Sequence, residues 1–292
     1  MHYLPGIYHQ IKNENKMKNV LFSAAFAVSA LAGYSQMKMP QPSPTQTIKQ
    51  DFALGQIELT YSRPAAKERT VFGDLVPYGK IWRTGANAAT QIKFSEPVEI
   101  MGKKLDTGNY AIYTIPGVDS WEVIFNKGTT NWGIDGYKES EDVIRIKTEP
   151  LKIKTETENL TIQFDNIKPE SCELWIVWDR TGIKIPITAN IKDKLRSQLE
   201  ASMGGEKKPY FQAAQFYNEY DKNYPLALEN INKATEENPK AFWVYLYKAK
   251  IQKQMGDVAG AKASSMKSME VAKAEKNDDY VKLNEDFLKT LK

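Results

Sequence analysis

The sequence predicts an all-β antiparallel sandwich followed by an all-α helical-repeat domain. Three observations carry that expectation. Between Ile48 and Ile191, short apolar–polar alternations are separated by turn residues; no helical period of ten or more residues interrupts them; and after Ile191 the apolar spacing becomes helical. With 292 residues, 41% hydrophobic and 26% charged, the chain has globular composition. Its length suits two domains of about 100 to 200 residues.

Taken in order, the chain opens with Lys16-Met17-Lys18-Asn19, an apolar run from Val20 to Ala32, and Gly33-Tyr34-Ser35-Gln36. These are the basic, apolar and small-residue regions of a secretory signal. The run is shorter than the roughly 20 apolar residues that span a bilayer. Residues 1–16 have no pattern of their own and would be explained by a translation start at Met17. No Cys follows the run to take a lipid. The expectation is an exported protein, periplasmic or extracellular, that does not span a membrane once residues 1–36 are removed.

Export constrains the chemistry. Removing residues 1–36 takes out three Lys and one Glu, leaving 37 basic and 35 acidic side chains, a net charge of +2. Such balance offers no basic surface for nucleic acid. It also takes out His2 and His9, the chain's two histidines. Ser-His-Asp and Cys-His nucleophiles, His general bases and His-ligated metals then lack their defining residue, so no metal or other cofactor is expected. The lone Cys172 forms no internal disulfide and reads as a small buried strand residue, with a reactive thiol as the alternative.

Residues 37–47, with three Pro among Gln and Ser, read as a linker. The sandwich domain follows over 48–191. Its strand signals are Gln56–Tyr61, Gln91–Phe94, Val98–Ile100, Tyr110–Ile115, Trp121–Phe125, Val143–Ile146, Leu160–Phe164 and Glu173–Val177. Turns such as Met101-Gly102-Lys103 and Asp106-Thr107-Gly108-Asn109 separate them at meander or Greek-key spacing. Alternation puts Trp175 and Trp178 on opposite faces.

Residues 192–208 read as a helix, with Leu195 and Leu199 among charges, and a linker holding Gly204-Gly205. Residues 209–292 read as a helical-repeat domain. Two windows superpose at an offset of 34 residues: Ala227 on Ala261, Ala234 on Ser268, and Lys222-Asn223 on Gly256-Asp257. They look like a pair of tetratricopeptide repeats, the second poorer because Ser265 stands against Ile231. Val281, Leu283, Phe287 and Leu291 suit a terminal helix covering the last apolar face. Such repeats receive a protein or peptide partner. Tyr217, Tyr220, Trp243, Tyr245 and Tyr247 are candidates to line that surface, or to pack between repeats.

The candidate ligand surface lies in Leu75–Asn87, where turn formers surround Trp82-Arg83. Arg63, Lys67, Arg69, Lys80 and Arg83 place five cations within 21 positions, able to attract an anion if they share a rim. The alternative is a solvated loop, with Arg83 paired to Asp74 or stacked on Trp82. A second candidate is the Gly-rich loop 127–137 after Asn126, carrying Trp132, Asp135 and Tyr137. Aromatic and amide groups there suit sugar or peptide contact, while Trp132 could instead cap the sandwich. The site residues expected are Arg63, Trp82, Arg83, Asn87, Asn126 and Trp132.

Several of these motifs carry a resemblance. Ser62-Arg63-Pro64, Phe72–Gly79, Trp82–Asn87, Gly102–Leu105, Gly108-Asn109-Tyr110, Ile124–Lys127 and Trp132-Gly133 together resemble an exported bacterial family known as domain of unknown function 2911, over about residues 45–191. The resemblance implies a domain boundary and export but supplies no reaction. Two departures stand out: the family pattern has Gly where Glu68 stands and an acid where Ala88 stands.

Three readings follow. The first is an exported, non-enzymatic binding or scaffold protein with an Arg/Trp/Asn ligand surface and a helical surface for a protein partner. The second is a hydrolase or isomerase acting on a carbohydrate or other polar small molecule, which requires a carboxylate base near Arg83. The third makes the Trp82–Asn87 run a buried polar brace.

Overall fold

The computed structural model describes residues 39–291; the expected signal segment lies outside the described residues. Residues 39–44 form an irregular, largely exposed lead-in, and the chain from Thr45 onward is one compact unit. Period-two alternation produces ten strands, all antiparallel. They are β1 (Thr45–Phe52), β2 (Gly55–Ser62), β3 (Thr90–Phe94), β4 (Val98–Ile100), β5 (Lys103–Leu105), β6 (Gly108–Ile115), β7 (Trp121–Asn126), β8 (Asp142–Thr148), β9 (Leu151–Lys168) and β10 (Ser171–Thr188). One sheet has the order β1-β2-β3-β6-β7-β8 and the other β5-β4-β10-β9, giving the expected sandwich. β1 begins at Thr45, inside the stretch read as a linker, because Ile48 and Phe52 alternate against Leu59 and Gly55 of β2. β9 and β10 are 18 residues each, far longer than their strongest apolar windows, since a shared antiparallel ladder carries their polar ends.

Inward residues of both sheets make the main core. Ile57, Leu59 and Tyr61 of β2 meet Ile162, Leu174 and Ile176 of the opposite sheet. The Tyr61 hydroxyl fastens the sheets, accepting from the Ile162 N–H at 2.9 Å and donating to its carbonyl at 3.2 Å. Cys172 is buried in this core, and burial pushes its thiol up to about 12, so it is a packing residue rather than a nucleophile at neutral pH. β6 and β7 are buried on both faces: Ala111, Tyr113 and Ile124 form a second small cluster on the outer side, under Ile81 and Tyr137.

The C-terminal part is helical: α1 (Lys192–Met203), α2 (Tyr210–Glu219), α3 (Tyr224–Glu237), α4 (Phe242–Gln254), α5 (Val258–Ala274) and α6 (Asp278–Lys289). Helix starts are set by side chains. Asn223, Asp257 and Asn277 each accept from the N–H three residues on, and each follows a left-handed residue: Lys222 (φ 55), Gly256 (φ 80) and Lys276 (φ 57). The 34-residue offset thus places equivalent turns at 222–223 and 256–257, and both Ile231 and Ser265 are fully buried. Leu195 of α1 packs on both the sandwich core and the cluster of Leu199, Ala213 and Phe216, joining the two parts. Among the described residues, no helix is long and apolar enough to cross a membrane.

Candidate functional site: two loops and an exposed tryptophan

β2 and β3 are separated by 27 residues, 63–89, without a regular strand. Connections beyond about 12 to 15 residues are uncommon and tend to be functional. This one is pinned throughout. Ala66 and Leu160 exchange bonds with Glu158 and Pro64 at 2.8 and 2.9 Å, and Trp82 pairs both ways with Thr114 of β6 at 2.7 and 2.9 Å. The segment 84–89 is then an excursion closed at its base by Thr90, whose N–H reaches the Arg83 carbonyl (3.1 Å) and whose hydroxyl reaches the Thr84 carbonyl (2.7 Å). Thr84 (φ 55) and Asn87 (φ 59) are both left-handed, an unusual conformation for a β-branched residue. Thr84 is held in it by full burial and by a bond from its hydroxyl to that of Thr114 at 3.2 Å.

The tip of this excursion pairs with the loop between β7 and β8. Ala89 N–H donates to Asn131 (3.3 Å), Gly133 N–H donates to Asn87 (3.0 Å), and Ala88 faces Trp132 in a two-residue antiparallel ladder. Gly133 is needed here: its φ is 70°, and a side-chain carbon on it would come within 2.6 Å of Arg83 Nη1. Arg83, Asn87 and Trp132 therefore meet on one small platform.

The platform's far loop is anchored from below. Asn126, fully buried, donates to the Lys138 carbonyl (2.9 Å) and Asp142 Oδ1 (2.8 Å) and accepts from Gly128 N–H (2.7 Å). Asn131 donates to the Tyr113 hydroxyl at 3.1 Å, and the Tyr137 ring packs edge-on to Tyr113 at 5.0 Å. The Tyr137 hydroxyl donates to Asp142 Oδ2 (3.0 Å), and Arg145 binds Asp142, Glu122 and Tyr137 at 2.8 to 3.0 Å. Burial first, then the Asp142 carboxylate, pushes the Tyr137 phenol up to about 12. Burial alone would lower the Arg145 pKa, but its bonds to Asp142 and Glu122 outweigh that and raise it.

The expected site residues divide accordingly. Trp132 is 66% exposed and stands out of the loop instead of capping the core, because its backbone is committed to the ladder with Ala88. Arg83 is mostly covered. Among the described residues its Nε has no hydrogen-bond partner and no carboxylate lies within 4 Å of its guanidinium, so the pairing with Asp74 does not occur. Nor does Arg83 stack on Trp82. Trp82 instead lies under the platform, its indole stacked on Trp178 (5.9 Å) and its N–H donating to the Gly85 carbonyl (3.0 Å). Arg63 is turned to β9, bonding the Leu160 carbonyl (3.0 Å) and Thr161 Oγ1 (2.9 Å). Arg69 caps the carbonyls of Ala65 and Ala66 at 2.8 Å, while Lys67 and Lys80 are exposed. The five cations do not form one rim. Asn87 bonds Ser62 Oγ at 3.3 Å with its amide.

Tyr113, Asp142 and Arg145 escaped sequence reasoning. Their signal was the apolar outer face of β6 and β7, where Ala111, Tyr113 and Ile124 occupy positions that solvent would otherwise reach. A covering loop follows from that pattern. Among the described residues, no group of three or more acidic, Cys or His side chains is placed to hold a metal ion.

No curated protein matches. The solution structure of protein BPP2914 from Bordetella parapertussis is similar at 20% identity and a TM-score of 0.30, over 36% of this chain and 89% of that one. Residues 43–187 match the family described as "Protein of unknown function (DUF2911)", so the platform-bearing sandwich is the part of this chain that is similar to that family.

Proposed function

We infer that this is an exported, non-enzymatic binding or scaffold protein whose loop platform contacts an anionic ligand with a flat face, such as an acidic saccharide. The carrying observation is the pairing of an exposed indole, Trp132, with Arg83, a guanidinium that has no acidic partner within 4 Å among the described residues. A buried or half-buried charge without a counter-charge is costly, and an anion docking beside it relieves that cost. The indole supplies a stacking face for a sugar ring. The loop's anchoring through Asn126, Tyr137 and Arg145 means that little order has to be gained on binding. The nearby carboxylates Asp142 and Glu122 are held by Arg145 instead of facing Arg83, which favours binding over general-base chemistry.

The helices, read as tetratricopeptide-like pairs, would take a protein or peptide partner. Most of their rings pack internally: Tyr220 stacks on Phe216, and Tyr247 donates to Glu219 at 2.6 Å. Trp243 is exposed and is the aromatic residue left for a partner.

The test is calorimetric titration of residues 37–292 with uronic-acid oligosaccharides and acidic peptides. Trp132→Ala should weaken binding at least about tenfold with an unchanged Tm, since an exposed side chain contributes little to folding. Equal binding by wild type and variant, or binding of neither ligand class, would sink the reading. Export is tested separately by fractionation and N-terminal sequencing of the full chain, with a mature start near residue 37 expected.

A further inference from the structure

A groove of about 480 Å³ lies where the ends of the two sheets meet, with a floor of Met101, Leu151 and Pro186 and flanks that include Lys147, Lys184 and Glu149. The sheets are joined there by the Thr148 hydroxyl, which donates to the Lys184 carbonyl at 3.3 Å. The volume is within the usual range for small-molecule sites. None of the platform residues lines it.

Two independent features point to a ligand. First, the groove's two lysines make only long ion pairs, each to a carboxylate outside the lining. Lys147 is 3.8 Å from Glu122, but that carboxylate is already held by Arg145 at 2.8 Å. Lys184 is 3.7 Å from Glu173, whose other oxygen accepts from Asn166 (2.7 Å) and Trp175 (2.9 Å). Their side chains are 74% and 47% exposed, and the lining sets two cations against the single carboxylate of Glu149. Second, Met101 is an apolar side chain in a left-handed turn position (φ 49), followed by Gly102 (φ 79), with its N–H fixed to the Pro186 carbonyl at 3.1 Å. Turn chemistry favours Asn or Asp at such a position, so an exposed Met is a local mismatch at the groove's floor.

We propose that this groove binds a small amphiphile with a carboxylate head, the head between Lys147 and Lys184 and the apolar tail over Met101, Leu151 and Pro186. The two lysines of the lining select the head, and the mismatched methionine supplies apolar contact for the tail. The proposal is independent of the Trp132 platform.

Sodium decanoate is the probe, titrated into residues 37–292 by calorimetry, with octyl glucoside and inorganic phosphate as comparisons. Saturable one-to-one binding of decanoate is expected, with octyl glucoside and phosphate each weaker by about tenfold or more, because each supplies only half of the recognition. The double variant Lys147→Gln/Lys184→Gln should lose about tenfold in affinity for decanoate. Met101→Asn should lose a similar factor while keeping or raising Tm, since Asn suits the turn; this separates binding from folding. Trp132→Ala should bind decanoate normally. Absence of saturable binding, equal affinity in the lysine double variant, or phosphate binding as tight as decanoate would overturn the proposal.

Discussion

Asn126 and Trp132 stand six positions apart around one Gly-rich loop and take opposite roles: one fully buried with three hydrogen bonds, the other 66% exposed with an unengaged ring. Residue type gave no sign of that difference; the bonds to Lys138, Asp142 and Gly128 made it. Glu68 shows the converse, a residue whose strain was visible in advance as a departure from Gly. Lys67 (φ 52) and Glu68 (φ 60) form a left-handed pair closed by the Arg69 N–H on the Ala66 carbonyl at 3.2 Å. Glu68→Gly is therefore expected to stabilise the protein by up to about 1 kcal/mol, seen as a rise in Tm of about 2 to 4 °C; a fall would show that the Glu68 side chain holds something in place. Tyr137 gives a pH signature. Its folded pKa of about 12 lies above the ordinary phenol value of 10.0, so the folded state keeps a proton that the unfolded chain has released. The corresponding stability is complete below the ordinary value and disappears as pH rises to the folded one. Tyr137→Phe should flatten that part of the alkaline unfolding curve, and an unchanged curve would remove Tyr137 from the account.

At the scale of elements, the period-two and period-3.6 patterns located most strands and helices because each is a local property of the chain. They failed where pairing across long separations supplied the order, as in β1 and in the extended arms of β9 and β10. Ser265 is instructive. It reads as a degraded repeat position, yet its buried hydroxyl donates to Asn284 Oδ1 at 2.9 Å, and Asn284 donates in turn to Ser268 Oγ (2.8 Å) and the Tyr280 carbonyl (2.7 Å). This polar cluster fixes α6 against α5 where Ile231 does the same work by apolar packing in the preceding pair. Asn284→Ala should cost about 2 to 3 kcal/mol by leaving the Ser265 hydroxyl without its acceptor, with amide exchange in α6 rising ahead of global unfolding. Uniform exchange across all helices would mean that the cluster does not act locally.

At the scale of the molecule, α1 couples sandwich and helices. Leu195 is shared between two cores, Asp221 pairs with both Lys192 (3.1 Å) and Arg196, and Lys194 reaches Glu96 of the sandwich at 2.7 Å. Leu195→Asp should loosen that junction by about 2 to 4 kcal/mol, speeding limited trypsin cleavage at the already exposed Lys207-Lys208 linker while strand and helix signals persist; a cleavage rate like the wild type's would place the coupling elsewhere. The sequence by itself determined the order of a β part and an α part, the turn positions, and the absence of histidine from residues 37–292, because all three depend on residues near one another or on composition. It also marked the long 63–89 segment and the 127–137 loop as special. Only the tertiary structure decided which of their side chains face solvent. Arg63, Trp82 and Asn126 became braces, while Trp132 was left exposed beside a mostly covered Arg83, through contacts with residues 12 to about 100 positions distant along the chain. Exposure depends on what covers a side chain, and that covering is set by loops folding over a sheet, which no local period encodes.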